Sequence, residues 1–453
     1  MKKDNRHCEG GTTEAISSKT RVINCFRSPV IAICLTIAFS FVGCSKEEQT
    51  DETLLWEYYK GFTYPPQLFD SLSRLAKEPI TKQFFSGLKC FEKYSQDEKV
   101  DCYDSALNIF SDLQRQYPNN YLGHLGMGLL ITEKGMIEGV DSLYDVATVH
   151  YLNAKKARPN HAAIYYYHGR NDYSRNKNVV NENAIKYLDT ATIIKPDFFK
   201  AFERSGRFLS HYLDLAFVSA SKNPLAEEGS GSDLAQKFNA TFPQARERVR
   251  YLFRRSIEID PTWFETFQDI SNAHHAYSAK ERLDFLETGI EIAQKKKSKD
   301  SLRLIKSLAN LYFYDLSDYE KARQHYSHWI SQHGGAQDYI NLAWCQYFLG
   351  QREAVPYLMS QAIKQDKTSM SHFQNAMFFK EESQFNEALA ELDLALTMET
   401  KSPSEAVIKV ERAKLLTLLG RKKEATEILN SIAQSGKTTE VVQKAQALRE
   451  VVK

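Results

Sequence analysis

The chain has 453 residues and a formal net charge of only +2, from 59 Lys and Arg against 57 Asp and Glu. So even a balance excludes a surface built mainly to neutralise nucleic-acid phosphates. With 42% apolar and 26% charged residues, and only 20 Gly and 12 Pro, the composition fits a folded body and excludes a disordered chain or a loop-rich β protein.

Residues 1–28 are polar, with Arg21 and Arg27 near their end, and an apolar run from Val30 to Gly43 stops at Cys44. Fourteen residues rise about 21 Å as a helix, short of the roughly 30 Å hydrocarbon core. The run therefore reads as the h-region of a secretory signal rather than a permanent span. Phe41-Val-Gly-Cys44 resembles the bacterial lipobox, with Phe41 where that motif usually has Leu. The resemblance implies that residues 1–43 are a signal peptide and that the Cys44 thiol carries a diacylglyceryl group. Acyl chains, at about 0.8 kcal/mol per buried methylene, would then hold the body on a membrane without a spanning helix. The expected location is the cell envelope, anchored in the outer membrane. Ser45-Lys46-Glu47-Glu48 is similar to the surface-export signal of some lipoproteins, and which face of the membrane the body occupies stays open. Residues 44–78, with Tyr64-Pro-Pro66, read as a lipidated N-terminus and an extended tether. Cys90 and Cys102 read as small packed residues of one hairpin rather than a bridge.

The rest is repetitive. Gln116-Tyr-Pro118-Asn, Ala157-Arg-Pro159-Asn, Ile194-Lys-Pro196-Asp and Ile259-Asp-Pro261-Thr end alike. Ten residues after each Pro stands a small residue: Gly128, Gly169, Gly206 or Ser271. Twelve residues before each Pro stands Ala106, Ala147, Ala184 or Val249; four further on come Phe110, Tyr151, Leu188 and Phe253, and three more give Leu113, Ala154, Ala191 and Ser256. Gly inside a helix costs about 1 kcal/mol relative to Ala. Its recurrence at one register makes sense if small residues let antiparallel helices approach, a bulky one plugs the gap, and Pro stops the second helix. The pattern resembles the tetratricopeptide repeat, a helix–turn–helix of about 34 residues, although the Trp and Leu of its first helix are mostly missing.

Toward the C-terminus Ala309, Ala343, Ala376 and Ala413 continue the first small column, and Ala322, Ala354, Ala388 and Ala425 the second. The resemblance thus implies an all-α fold, a right-handed α-solenoid of about nine degenerate hairpins over residues 79–437, closed by a capping helix at 438–453. Between Gly206 and Val249 the spacing is 43 residues rather than the 12 of the tetratricopeptide pattern, and the excess at 222–243 contains Gly229-Ser-Gly-Ser232. It reads as a long first helix followed by an inserted loop.

Chemistry is sparse. No Gly-rich phosphate loop, His-Glu-x-x-His or Cys-x-x-Cys occurs, so no cofactor, metal site or catalytic set is expected. His325, His328 and His333 share a helix with no carboxylate spaced to complete a metal site, and Cys345 beside Trp344 reads as a packed thiol. In tetratricopeptide proteins the fifth and ninth positions of each first helix face a concave groove. Four apart, they share one side of a helix. The resemblance implies groove positions at Tyr166 and Arg170, Glu203 and Arg207, Gln268 and Asn272, and Lys306 and Asn310, with Asn341 close by; Ile340/Trp344, Phe373/Met377 and Val410/Lys414 follow. The groove should be polar centrally and apolar toward the C-terminus, which suits an extended protein segment. The expected function is a lipid-anchored scaffold that binds one or more envelope proteins or peptide segments and no nucleic acid, without catalysis. The alternative is a glycan-capturing outer-membrane lipoprotein with similar helices.

Overall fold

The computed structural model describes residues 50–60, 66–97, 100–176, 182–222, 244–365, 369–398, 404–433 and 440–452. The proposed signal, Cys44 and almost all of the 222–243 insertion lie outside these residues. Two compact units divide the chain, residues 1–196 and 197–453. The helices of the first are α1 (Asp51–Lys60), α2 (Pro66–Leu75), α3 (Pro79–Asp97), α4 (Val100–Gln116), α5 (Tyr121–Glu138), α6 (Asp141–Ala157), α7 (Ala162–Arg175) and α8 (Glu182–Ile194). Those of the second are α9 (Phe199–Lys222), α10 (Ala245–Ile259), α11 (Phe264–Asn272), α12 (Ala279–Lys295), α13 (Asp300–Tyr314), α14 (Tyr319–His333) and α15 (Ala336–Phe348). A 3₁₀ turn, Arg352–Ala354, then leads to α16 (Val355–Gln365), α17 (Ser369–Glu381), α18 (Phe385–Leu396), α19 (Glu405–Leu418), α20 (Lys422–Ala433) and α21 (Glu440–Val452). Among the described residues there is no strand.

The fold is a helical-repeat solenoid of tetratricopeptide-like hairpins. From α3 to α20 the helices pack as nine consecutive pairs among the described residues, and α21 packs on α20. The spaced columns meet as their sizes require. A Cβ built at Gly87 would stand 2.4 Å from the Phe110 ring, at Gly128 2.7 Å from Tyr151, and at Gly206 2.9 Å from Phe253. At Gly169 it would stand 3.0 Å from the Ala184 carbonyl oxygen. Phe110 also closes on the next hairpin, where a Cβ at Gly126 would be 2.4 Å from Cδ1. Ala106, Ala147, Ala184 and Val249 are wholly buried, as are Ala309, Ala343, Ala376 and Ala413.

Local chemistry ends each element. Asn120 caps α5, its side-chain oxygen accepting from the Leu122 amide at 2.9 Å, and Gly139 closes that helix in the left-handed region at φ 67°. Ser278 and Glu281 form a reciprocal capping box at α12. The turns inside four C-terminal hairpins each place one residue at positive φ: Ser317, Gly350, Ser383 and Gly420.

Two expectations need correction. The segment read as an extended tether contains α1 and α2, and Leu54, Leu55, Tyr58, Tyr59, Phe69 and Leu72 are buried. Pro66, taken as a sign of extended chain, opens α2 at a position where its missing N–H costs nothing. Ala354, expected in the second small column, lies in the 3₁₀ turn and is only partly buried. Val355, twelve residues after Ala343, takes the buried place.

Candidate functional site: the first-helix faces

In each unit, first helices of successive hairpins touch one another: α3 with α5 and α5 with α7, then α9 with α11, α11 with α13, α15 with α17, and α19 with α21. That leaves one face of each hairpin row made of first helices, the face on which the fifth and ninth positions stand.

In the first unit this face is largely apolar and buried. Thr81, Phe84 and Leu88 on α3, and Leu122, Leu125 and Leu129 on α5, are all buried. Tyr166 on α7 is only 3% exposed, so it is not the open groove residue that its register implied. Arg170 is half-buried, with its guanidinium 5.9 Å from the ring centres of both Tyr166 and Tyr167.

In the second unit the face is open and polar at its start. Gln268 and Asn272 on α11 are exposed. They line a cleft of about 380 Å³ together with Arg207, Ser210, His211, Asp214 and Asp269. The expected residues Arg207, Gln268 and Asn272 therefore come together, whereas Asp214 and Asp269 were missed. The sequence signal for Asp269 was its place next to Gln268 on the same short helix.

The cleft floor is a charge network. Arg207 Nε lies 3.0 Å from Glu203 Oε1 and donates to Asp269 Oδ2 at 2.8 Å. Glu203 is wholly buried. Burial works to raise its carboxyl, but Arg204 and Arg207 outweigh burial and hold it below the usual range. Burial, and after it the Glu203 charge, push the Asp269 carboxyl well up. Arg207 thus bridges the two carboxyls, while Arg204 Nε stands 3.7 Å from Glu203 Oε2. Nearby, burial pushes the Asp214 carboxyl up to about 6 against the opposing charge of Arg282.

Further along, the polar side chains serve one another. Lys306 Nζ is 2.8 Å from Asp338 Oδ1 and 5.1 Å from the centre of the Trp329 ring. The Trp329 indole N–H donates to Asp338 Oδ2 at 2.8 Å. Tyr326 O–H donates to Asn310 Oδ1 at 2.6 Å and accepts from Asn341 Nδ2 at 2.9 Å. Asn341 Oδ1 accepts from Tyr314 O–H and from Gln337 Nε2. Asn341 is buried at 4% exposure and Asn310 half-buried, so these two are better placed to hold α13, α14 and α15 together than to meet a partner. Beyond them the face turns apolar. Trp344 stacks on Phe378 at 3.8 Å between ring centres and donates to Gln374 Oε1 at 3.1 Å, while Phe373 and Met377 are partly buried.

Cys345 is packed into the fold, whereas Cys90, Cys102 and His325 are partly buried and His328 and His333 exposed. Burial pushes the Cys345 thiol up to about 12. His325 stacks on Tyr312 and His333 on Trp329. Cys90 and Cys102 are free thiols. Among the described residues no group of three His, Cys, Asp or Glu could hold a metal ion, and no helix is long and apolar enough to cross a membrane.

No family model matches the chain, and no curated protein matches its sequence. Solved structures do resemble it. The MamA protein is 15% identical at a TM-score of 0.31, covering 48% of this chain and 94% of its own. YrrB, "a TPR protein with an unusual peptide-binding site", is 14% identical at a TM-score of 0.31, covering 43% and 97%. The human IFIT1 dimer with PPP-AAAA is 12% identical at a TM-score of 0.40, covering 84% and 76%. None of these similarities carries an argument about function, and the repeat fold stands on the packing of its own columns.

Proposed function

We propose that the chain is a lipid-anchored scaffold of a cell envelope, held in the outer membrane through Cys44, which binds a protein partner along the first-helix face of its second unit and catalyses nothing. The observation that carries the reading is the contrast between the two faces. One is largely apolar and buried; the other exposes Gln268 and Asn272 over a charged cleft and grades into the partly buried aromatic patch at Trp344 and Phe373. A row of hydrogen-bonding groups running into apolar surface suits an extended segment whose backbone and side chains are read together.

The test is retrieval from detergent-solubilised envelope with the full chain as bait. A specific protein should co-purify with the wild type and be lost with the double variant Gln268→Ala/Asn272→Ala, which removes exposed groups and leaves the fold intact. Equal recovery by both, or no partner with either, overturns the assignment of the face. The anchor is tested separately. Cys44→Ala should shift the chain from the membrane to the soluble fraction, and unchanged fractionation overturns the lipid attachment.

A further inference from the structure

Across the hairpin ends of the first unit lies a helix of the chain itself, α1. Helix α1 meets α2 through Tyr58 and Phe69, 5.9 Å between ring centres. Its other side chains reach elements from successive hairpins. Asp51 accepts from the Lys77 and Glu78 amides ahead of α3, at 2.7 and 2.8 Å. Glu52 Oε2 accepts from Arg158 Nη1 at 2.8 Å, and its Oε1 lies 3.5 Å from His161 Nε2, just before α7. Trp56 donates to Glu52 one helical turn back, stacks on the His161 ring at 5.3 Å and lies beneath Lys195 Nζ at 5.0 Å. Tyr59, wholly buried, meets His161 edge-on and Tyr167 on α7 at 6.2 Å. The receiving side is itself braced, with Arg158 donating to the Tyr121 hydroxyl at 3.1 Å and resting 4.9 Å from the centre of its ring.

A short helix lying across successive hairpins, held by one carboxylate–guanidinium pair and two aromatic anchors, has the anatomy of a groove-bound ligand. We propose that the first unit carries a helix-recognition site formed by Tyr121, Arg158, His161, Tyr167 and Lys195. Its ligand is an amphipathic helix presenting a carboxylate, a Trp four residues later and a Tyr three after that. Helix α1 fills the site in cis. A partner bearing the same face competes with α1 for it, so the site's availability is set by the dissociation of α1. This assignment is independent of the open face of the second unit and stands or falls without it.

The test uses the full chain and a fluorescent peptide of residues 50–60. The cis-weakened variant Trp56→Ala/Tyr59→Ala should bind the peptide at least tenfold more tightly than the wild type does, by fluorescence anisotropy. Adding Arg158→Glu should abolish that gain. A folded cis-weakened variant with no gain, or a gain that survives Arg158→Glu, overturns the proposal. If the variant does not fold, amide exchange on the wild-type chain decides. Amides of α1 exchanging at least tenfold faster than those of α5 and α7 mark a helix that leaves by itself, as the site requires. Exchange of all three at one rate makes α1 an integral element and overturns the proposal.

Discussion

Gly126→Ala is the sharpest perturbation of the packing. Phe110 is wholly buried, with its ring held between two glycines. A Cβ at Gly126 would stand 2.4 Å from Cδ1 and 2.5 Å from Cε1, and one at Gly87 on the opposite hairpin 2.4 Å from Cε1. Carbon atoms rest about 3.5–4.0 Å apart, so the new methyl overlaps the ring by more than 1 Å. The ring cannot slide away, because Gly87 blocks its other side. Overpacking of this kind costs about 1–3 kcal/mol, and an overlap this deep belongs at the upper end. Exchanging Gly for Ala inside a helix returns about 1 kcal/mol. The net loss is about 2 kcal/mol, or a fall in Tm of about 4–8 °C for a unit of this size. Thermal unfolding of the full chain by circular dichroism reads it. Phe110→Leu in the Gly126→Ala background should then be cheaper than in the wild type by about 1 kcal/mol, since the two sites share one space. A Gly126→Ala chain that melts at or above the wild-type temperature would refute the reasoning.

Three further outcomes follow from the same structure. Ser383 holds φ 59°, a region that costs an L-residue about 1–2 kcal/mol; Ser383→Gly should raise stability by about 0.5–1 kcal/mol after glycine's extra unfolded-state freedom is subtracted, and a lower Tm would contradict it. Asp214 is protonated more readily folded than unfolded, because burial pushes its carboxyl up to about 6. Its ionised form therefore costs stability that the wild type loses as pH rises from about 4 to about 6. Asp214→Asn should remove that slope and gain about 1–2 kcal/mol at pH 7 after discounting for its partial exposure; parallel stability–pH curves for the two chains would contradict it. Trp344→Ala should cost about 2–3 kcal/mol through lost packing on Tyr347, Phe348 and Phe378, and a loss below about 1 kcal/mol would mean that the indole serves a partner rather than the fold.

The repeat was legible because backbone contact enforces it. Gly128, Gly169 and Gly206 recur at a register set by helices that touch, and nothing larger than glycine fits there without displacing a neighbour. Helices α1 and α2 were misread, although their signal was present: Leu54, Leu55, Tyr58 and Tyr59 trace one helical stripe. The proline pair that follows reads as extended chain, yet Pro66 opens α2. The polar face was legible as a row of positions but not as a set of partners. Register places Lys306, Asn310 and Asn341 on one side. Only the fold brings Asp338 and Tyr326 from neighbouring helices to engage them. Asp269 was passed over for a related reason, since its role depends on Glu203 and Arg207 arriving from another hairpin.

Site-specific photocrosslinking in the intact envelope probes the scaffold assignment most directly. A photoreactive residue at Asn272, exposed on the first-helix face, should join the chain to a distinct protein. The same residue at Leu394, which is 46% exposed on the second helix α18, should not. Adducts of equal yield from both positions, or from Leu394 alone, would contradict the assignment of the open face as the binding surface.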